Sequence, residues 1–189
     1  MLKELIAKNR SYRRFYQDKQ VSRDVLKELV DLARLSPCGA NRQTLRFVLS
    51  ADEKKNAAIS KCIFWAGYYK DWDGPEDGEK PSAYIVIVRD ISAGGGMPQD
   101  EGIAAQSILL GAVEKGMGGC IIANINRKEL KKVLAIGDKY EIALVLAIGY
   151  PKEKVVLEAL GQSGDIKYWR DEKQVHHVPK RSLQDLILE

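Results

Sequence analysis

The sequence is poor in the residues from which metal sites and disulfide frameworks are built. Its 189 residues include three cysteines and two histidines. Cys38, Cys62 and Cys120 are odd in number and show no CxxC spacing, which argues against both a disulfide framework and a zinc knuckle. His176 and His177 are adjacent, so on a strand they face opposite sides, and no HExxH motif accompanies them. We therefore expect no metal site and a reducing, cytoplasmic location.

Long hydrophobic runs are also missing. No segment approaches the ~20 apolar residues needed to span a bilayer, and charges at helical intervals in residues 1–6 exclude the apolar core of a secretory signal. The net charge of +4 arises from 30 basic residues mixed with 26 acidic ones, which predicts no general nucleic-acid or membrane surface. We expect a single soluble domain over residues 1–189, with neither nucleic acid nor membrane as a partner.

Two nucleotide-binding motifs are absent as well. Residues 74–80 lack the Walker A spacing and the hydroxyl after the lysine. The glycine-rich segment 116–120 follows a predicted helix and precedes a predicted strand, which reverses the order of a dinucleotide fingerprint. Gly118 and Gly119 either present backbone N–H groups that no side chain screens from a flat ring, or form a tight turn between helix and strand.

Apolar periodicity predicts helices and strands in irregular alternation. Helices are expected after the capping residues Ser22, Asp52 and Asn126, from Pro98 to Gly116, and over 182–188. Apolar runs typical of strands lie at 47–49, 84–88, 120–123 and 143–150. The aromatic, aperiodic segment 65–81 predicts a functional or mobile loop. This order favours the α+β class and leaves the direction of the sheet open.

A basic cluster near the N-terminus is the clearest candidate for binding chemistry. Arg10, Ser11, Arg13 and Arg14 place three guanidinium groups and a hydroxyl within five residues, a donor set that suits the oxygens of a phosphate. The alternative is a solvated basic turn that pairs with surface carboxylates. Arg181 belongs to a second basic pair, which joins such a pocket only if the two termini meet.

A polar loop after the second helix offers further candidates. Pro37 ends the helix, and the side-chain amides of Asn41 and Gln43 can both donate and accept, as a ribityl chain requires. Hydrogen bonds that merely close the loop explain these amides equally well. Cys38 has no basic partner that the sequence identifies, so an ordinary small buried thiol is favoured over a nucleophile.

Taken together, these segments resemble the flavin nitroreductase family. Residues 9–15 (Asn-Arg-Ser-Tyr-Arg-Arg-Phe) are similar to the family pattern Arg-Arg-Ser-x-Arg-x-Phe. Residues 35–47 are similar to Ala-Pro-Ser-x-x-Asn-x-Gln-Pro-Trp-x-Phe, with agreement at Pro37, Asn41, Gln43 and Phe47. Residues 115–120 and 148–151 resemble the glycine turn and the late Ile-Gly-Tyr-Pro element. The matching segments occur in the family's order along nearly the whole chain.

The resemblance implies a nitroreductase-like central β-sheet flanked by helices, and an intertwined homodimer with FMN at the subunit interface. By position it assigns the flavin phosphate to Arg10, Ser11, Arg13 and Arg181. It assigns the flavin edge, lined in the family by the partner subunit, to Pro37, Cys38 and Asn41, with Gln43 as a further candidate. The glycine turn that supplies backbone near the ring corresponds to Gly118 and Gly119. Arg14 falls at the variable position of the pattern and is expected to face solvent.

The family's activity sets the functional expectation. Its members pass a hydride from NADH or NADPH through flavin N5 to a second acceptor, so we expect an NAD(P)H-dependent flavin oxidoreductase that reduces nitroaromatics, quinones or similar small molecules. No catalytic side chain is identified, because the cofactor carries the chemistry. Reductive dehalogenation and enone reduction stay open, since the acceptor pocket is expected within 65–81. A non-catalytic FMN-binding storage or sensor module is the alternative from another class.

Three departures from the family patterns bear on the site. Asn9 replaces an arginine, Cys38 replaces a serine, and Thr44 with Leu45 replaces Pro-Trp. The first removes up to one charge-assisted contact to a phosphate, about 1.5–3 kcal/mol if it were made. The others change a donor at the flavin edge and the local packing, so we expect the preference for the acceptor to differ.

Overall fold

A four-stranded antiparallel sheet lies at the centre of the fold, in a computed structural model that describes residues 1–94 and 96–188. Its strands run in the spatial order β1-β2-β4-β3. In chain order they are β1 (Leu45–Ser50), β2 (Ala83–Asp90), β3 (Gly118–Ile122) and β4 (Tyr140–Gly149). Every neighbouring pair is antiparallel. The structure thereby decides the strand direction, which the sequence had left open.

Within the described residues, five α-helices accompany the sheet. They are α1 (Leu2–Lys8), α2 (Arg23–Leu35), α3 (Glu53–Ser60), α4 (Pro98–Glu114) and α5 (Arg127–Val133). The predicted caps are confirmed, because Ser22, Asp52 and Asn126 each accept a hydrogen bond from a backbone N–H in the first turn of their helix. No helix among the described residues is both long and apolar enough to cross a membrane.

The helices cover both faces of the sheet. Tyr84, Val86 and Val88 of β2 face one core, which includes residues of α3 and α5. Ile85 and Ile87 of the same strand face a second core, to which α2 and α4 contribute. Because successive side chains of a strand point to opposite faces, burial on both sides explains why residues 84–88 form a continuous apolar run.

The C-terminal part of the chain forms a second, smaller sheet that the sequence did not predict. Its strands are β5 (Val155–Ala159), β6 (Trp169–Arg170) and β7 (His176–Lys180), in the order β5-β7-β6. β5 and β7 are parallel, whereas β6 and β7 are antiparallel.

The helix predicted over 182–188 is wrong, because only a single 3-10 turn, Gln184–Leu186, forms there. Leu183, Leu186, Ile187 and Leu188 are exposed, so no packing supports a helix in this segment.

Candidate functional site

The N-terminal basic cluster and the glycine turn lie side by side. Ser11 forms a parallel bridge with Gly119, and the backbone N–H of Tyr12 donates to the Gly119 carbonyl at 3.0 Å. A Cβ on Gly118 would lie 2.5 Å from Cδ2 of Tyr12, and one on Gly119 would lie 2.4 Å from the carbonyl oxygen of Ala147. The close packing of the chain against itself therefore requires both glycines. Their contact with a flavin ring stays a prediction.

The guanidinium of Arg10 has an N–H group that suits an acceptor from a ligand. Its Nη2 donates to the carbonyl of Ile6 at 2.8 Å, in the last turn of α1, where carbonyls lack helical partners. Its Nε is buried and has no hydrogen-bond partner among residues 1–94 and 96–188, and burial lowers the pKa of the guanidinium. Ser11 follows immediately and is exposed. An unpaired guanidinium N–H beside an accessible hydroxyl fits the oxygens of a phosphate.

Arg13 is buried, with 8% of its surface exposed. Its Nη1 donates to the Ser11 carbonyl at 3.1 Å and approaches Nε2 of His176 at 3.4 Å. Its guanidinium carbon lies 4.7 Å from the centroid of the Tyr168 ring, a cation–π distance. The backbone N–H of Arg13 donates to the carboxylate of Glu153. The side chain is thus directed by the C-terminal sheet.

The thiol of Cys120 marks the point where Ser11 and Arg13 converge. Burial raises the pKa of this thiol, while the nearby Arg13 guanidinium and Ser11 hydroxyl act in the opposite direction. Two of the predicted phosphate residues therefore lie near the middle of β3. Arg10 belongs to the same segment of chain.

Arg14 does not face solvent, and that expectation is wrong. Its Nε and Nη2 form a bidentate pair with Glu79, with Nη2 to Oε1 at 2.7 Å. Lys152 adds a second cation at 3.0 Å from Glu79 Oε1. These partners lower the pKa of the Glu79 carboxyl to about 2. Arg14 is thus a structural residue that ties the N-terminal segment to residue 79.

Replacing Glu79 with Gln is expected to lower the free energy of unfolding by about 2 kcal/mol at pH 7, because it replaces a largely buried, bidentate ion pair with a neutral amide that has only one acceptor oxygen for Arg14. The difference from the parent should narrow as the pH falls from 4.5 toward 2, since the contribution of a carboxylate with a depressed pKa is lost over that range. Urea denaturation measures both effects.

Asp24→Asn provides the matched control, because it breaks the fully exposed pair with Lys27 on α2. Solvent screens such a pair, so a much smaller change is expected. Equal effects of the two substitutions would contradict the structural role of Glu79.

The loop between α2 and β1 lines a cavity of about 300 Å³. The four predicted residues of the loop all contribute to its wall: Pro37, Cys38, Asn41 and Gln43. The loop is held by Asp100 of α4, whose Oδ1 accepts from the backbone N–H of Gly39 at 2.8 Å. Gln43 also closes the loop on itself, with Nε2 donating to the Asn41 carbonyl at 3.4 Å. Contact of these residues with a flavin edge stays a prediction.

This loop and the N-terminal cluster are held by the same helix but do not meet. Ser107 of α4 hydrogen-bonds to Ser36 at 2.7 Å, and Gln106 accepts from Asn9 at 3.1 Å. Across residues 1–94 and 96–188, no side-chain hydrogen bond or ion pair joins the predicted flavin-edge residues to the predicted phosphate residues. The wall of the cavity at this loop includes none of the predicted phosphate residues, so a single chain presents the two groups apart.

Arg181 lies away from the cluster in the single chain. It borders a shallow depression beside Leu157–Gly161, and the backbone N–H of Leu160 donates to the neighbouring Lys180 carbonyl. The two ends of the chain do meet, but at His176 and Arg13. At ~3.3 Å per residue of strand, Arg181 is roughly 16 Å further along than His176. Its role with a phosphate stays a prediction.

Sequence reasoning missed a cluster between segment 65–81 and the C-terminal sheet. Tyr69 Oη lies 2.6 Å from Nδ1 of His176. The Arg170 guanidinium lies over the rings of Tyr69 and Trp72, at 4.9 and 4.6 Å, and pairs with the buried Glu153 at 3.0 Å. The segment with Tyr69 and Trp72 lies about 100 positions before Arg170 and His176, so no local spacing signals their contact. The described part of the chain contains no cluster of three metal-ligating side chains.

Comparisons with known proteins place these features in a family. Residues 6–75 and 80–150 match the model of the nitroreductase family, and that range includes every predicted site residue except Arg181. An iodotyrosine deiodinase of Thermotoga neapolitana is 26% identical over 168 residues, which cover 81% of this chain and 90% of that protein.

Solved structures agree with the observed fold. An FMN-dependent nitroreductase from Clostridium difficile R20291 is 26% identical, with a TM-score of 0.66 over 79% of this chain and 87% of that one. A nitroreductase family protein from Clostridium novyi NT is 24% identical, with a TM-score of 0.68 over 98% of both chains. The second match extends through the C-terminal sheet. At 24% identity it is evidence for the fold and not for the function.

Proposed function

The chain belongs to the nitroreductase family, and from that premise we propose that it is an FMN-dependent oxidoreductase that passes a hydride from NADH or NADPH to a small electron acceptor. The observation that carries the proposal is the buried Nε of Arg10, which has no partner in the described part of the chain and lies beside the exposed Ser11. Buried donors in folded proteins are almost always satisfied, so this one calls for an acceptor.

Different residues of the chain have different roles in binding the cofactor. Arg10 and Ser11 would donate to the phosphate, and Arg13 would add a buried positive charge. Bound FMN supplies hydride transfer, which needs no acid or base from the protein. The protein contributes binding, orientation and exclusion of water. This division accounts for a site that is rich in hydrogen-bond donors.

A second copy of the chain completes the site in this proposal. The flavin-edge loop at Pro37 and Cys38 is separate from the phosphate residues within one chain. Apolar side chains near α1, α2 and α4 are exposed, including Ile6, Leu35 and Ile103. A homodimer would cover such residues and bring the loop of one protomer toward the phosphate residues of the other.

Reductive dehalogenation is a second candidate, favoured by the similarity to iodotyrosine deiodinase. A halogenated phenol would then replace the nitroaromatic or quinone as the acceptor, with the same flavin as reductant. Anaerobic turnover of a nitroaromatic, a quinone and iodotyrosine, each with NADH, NADPH or dithionite as reductant, separates these candidates. Release of iodide with dithionite alone would favour the dehalogenase.

The purified protein is expected to bind FMN with a flavin absorption spectrum that bleaches on anaerobic addition of NADH or NADPH. Arg10→Ala should raise the Kd for FMN about 10- to 100-fold, as expected for one charge-assisted hydrogen bond. Arg23→Ala on the exposed start of α2 removes the same charge and should leave the Kd unchanged. Flavin fluorescence titration measures each Kd.

Failure of the protein to take up FMN would overturn the proposal. If the protein binds FMN, but neither nicotinamide bleaches the flavin and dithionite supports no turnover, the storage or sensor module is favoured instead. Light scattering on the FMN-loaded protein tests the assembly, and a stable loaded monomer would exclude the two-subunit site.

A further inference from the structure

His176 is a buried histidine held between two partners. Nδ1 lies 2.6 Å from the hydroxyl of Tyr69, and Nε2 lies 3.4 Å from Nη1 of Arg13. The side chain is 1% exposed, and the Tyr168 ring packs beside it with centroids 5.2 Å apart. The imidazole therefore connects the aromatic segment 65–81 to a residue of the proposed phosphate site.

The chemistry of the partners assigns the protonation state of the ring. A guanidinium can only donate, so Nε2 must accept from Arg13 and carry no proton. In the neutral ring the proton then resides on Nδ1, which donates to the Tyr69 oxygen. Burial, with the charges of Arg13 and Arg170, lowers the pKa of His176 to about 4. The imidazole is thus neutral near pH 7.

Arg13 carries a buried charge that no carboxylate of the described chain neutralises through its side chain. Glu153 is adjacent, but its oxygens accept from the backbone N–H groups of Arg13 and Arg14 and from Nη2 of Arg170. The Arg13 side chain instead contacts a carbonyl, an aromatic ring and the neutral His176. A buried cation without an anionic partner is costly, so the site favours an anionic ligand.

We propose that His176, oriented by Tyr69, is a positioning residue that holds the Arg13 guanidinium toward the flavin phosphate without neutralising its charge. A carboxylate in the same place would orient Arg13 but cancel the charge that attracts the ligand. A neutral acceptor orients Arg13 without cancelling its charge. This inference rests on the proposed function and adds a residue that is distant in sequence from the recognised motifs.

The test compares FMN with riboflavin, which lacks the phosphate. Fluorescence titration of the apoprotein should show that His176→Phe raises the Kd for FMN about tenfold, while the Kd for riboflavin changes less than twofold. His176→Gln restores an acceptor for Arg13 and a donor for Tyr69 and should recover most of the FMN affinity. Tyr69→Phe should weaken FMN binding in the same direction, but less. His177→Phe is the matched control on the opposite face of β7.

The outcomes separate this inference from the function beneath it. If wild-type protein binds no FMN, both fall. If it prefers FMN over riboflavin and the His176 variants keep that preference, the positioning role is wrong and the proposed function stands. Equal weakening of FMN and riboflavin by His176→Phe would indicate a merely structural role. Should that variant not fold, His176→Gln and Tyr69→Phe decide through the ratio of the Kd for riboflavin to the Kd for FMN. The inference requires a near-parental ratio for His176→Gln and a lowered ratio for Tyr69→Phe.

Discussion

Replacing Gly119 with alanine is expected to lower the free energy of unfolding by about 3 kcal/mol. The added Cβ would lie 2.4 Å from the carbonyl oxygen of Ala147 and 2.6 Å from Cδ2 of Leu109. The leucine can change rotamer, but the carbonyl belongs to β4 at the centre of the sheet, so the backbone itself must shift. Overpacking of this kind costs about 1–3 kcal/mol, and backbone contact places Gly119 at the upper end.

Gly102→Ala is the matched control and should have the opposite sign. Gly102 lies within α4 and is exposed, and no atom of the described residues lies within 4 Å of an added Cβ. Alanine there should raise the free energy of unfolding by about 0.5–1 kcal/mol through helix propensity. Urea denaturation of both variants measures the contrast. A Gly119→Ala protein as stable as the parent would show that the approach of β3 to β4 is looser than the structure indicates.

Acidification from pH 6.5 toward pH 4 is expected to remove on the order of 3 kcal/mol of stability through His176 alone. Its pKa is about 4 in the folded protein against 6.5 for the free side chain, so between these values the unfolded chain binds the proton and the folded chain does not. Stability therefore rises with pH across this window and is lost as the pH falls. The imidazole has five titratable or charged neighbours, namely Arg13, Arg170, His177, Tyr69 and Tyr168.

His176→Gln should make the free energy of unfolding less dependent on pH between 4.5 and 7.5, because glutamine does not titrate. The neighbouring His177 supplies a control of opposite sign. Hydrogen bonds to Glu158 and Asp171 raise its pKa despite the opposing effect of burial, so its contribution is present at low pH and lost as the pH rises. His177→Gln should then lose more stability on acidification than the parent. A pH dependence unchanged by His176→Gln would contradict the assignment.

Local signals accounted for much of the fold. Ser22, Asp52 and Asn126 were recognisable as caps because each bonds to a backbone N–H three residues away. The strands were recognisable as apolar runs, although their direction was not. The helix predicted after Arg181 was wrong. The apolar residues of this segment suggest a helix, but they are exposed, and no described partner packs against them.

The candidate site divides along the same line. The sequence by itself determined the donors, since Arg10, Ser11 and Arg13 stand within four residues and match a family pattern in order. Only the tertiary structure decided what each donor does: Arg14 pairs with Glu79, 65 residues away, and Arg13 meets His176, 163 residues away. A motif records the types of side chain that chemistry requires, whereas their partners are chosen by the path of the chain, which depends on how the sheets and helices pack.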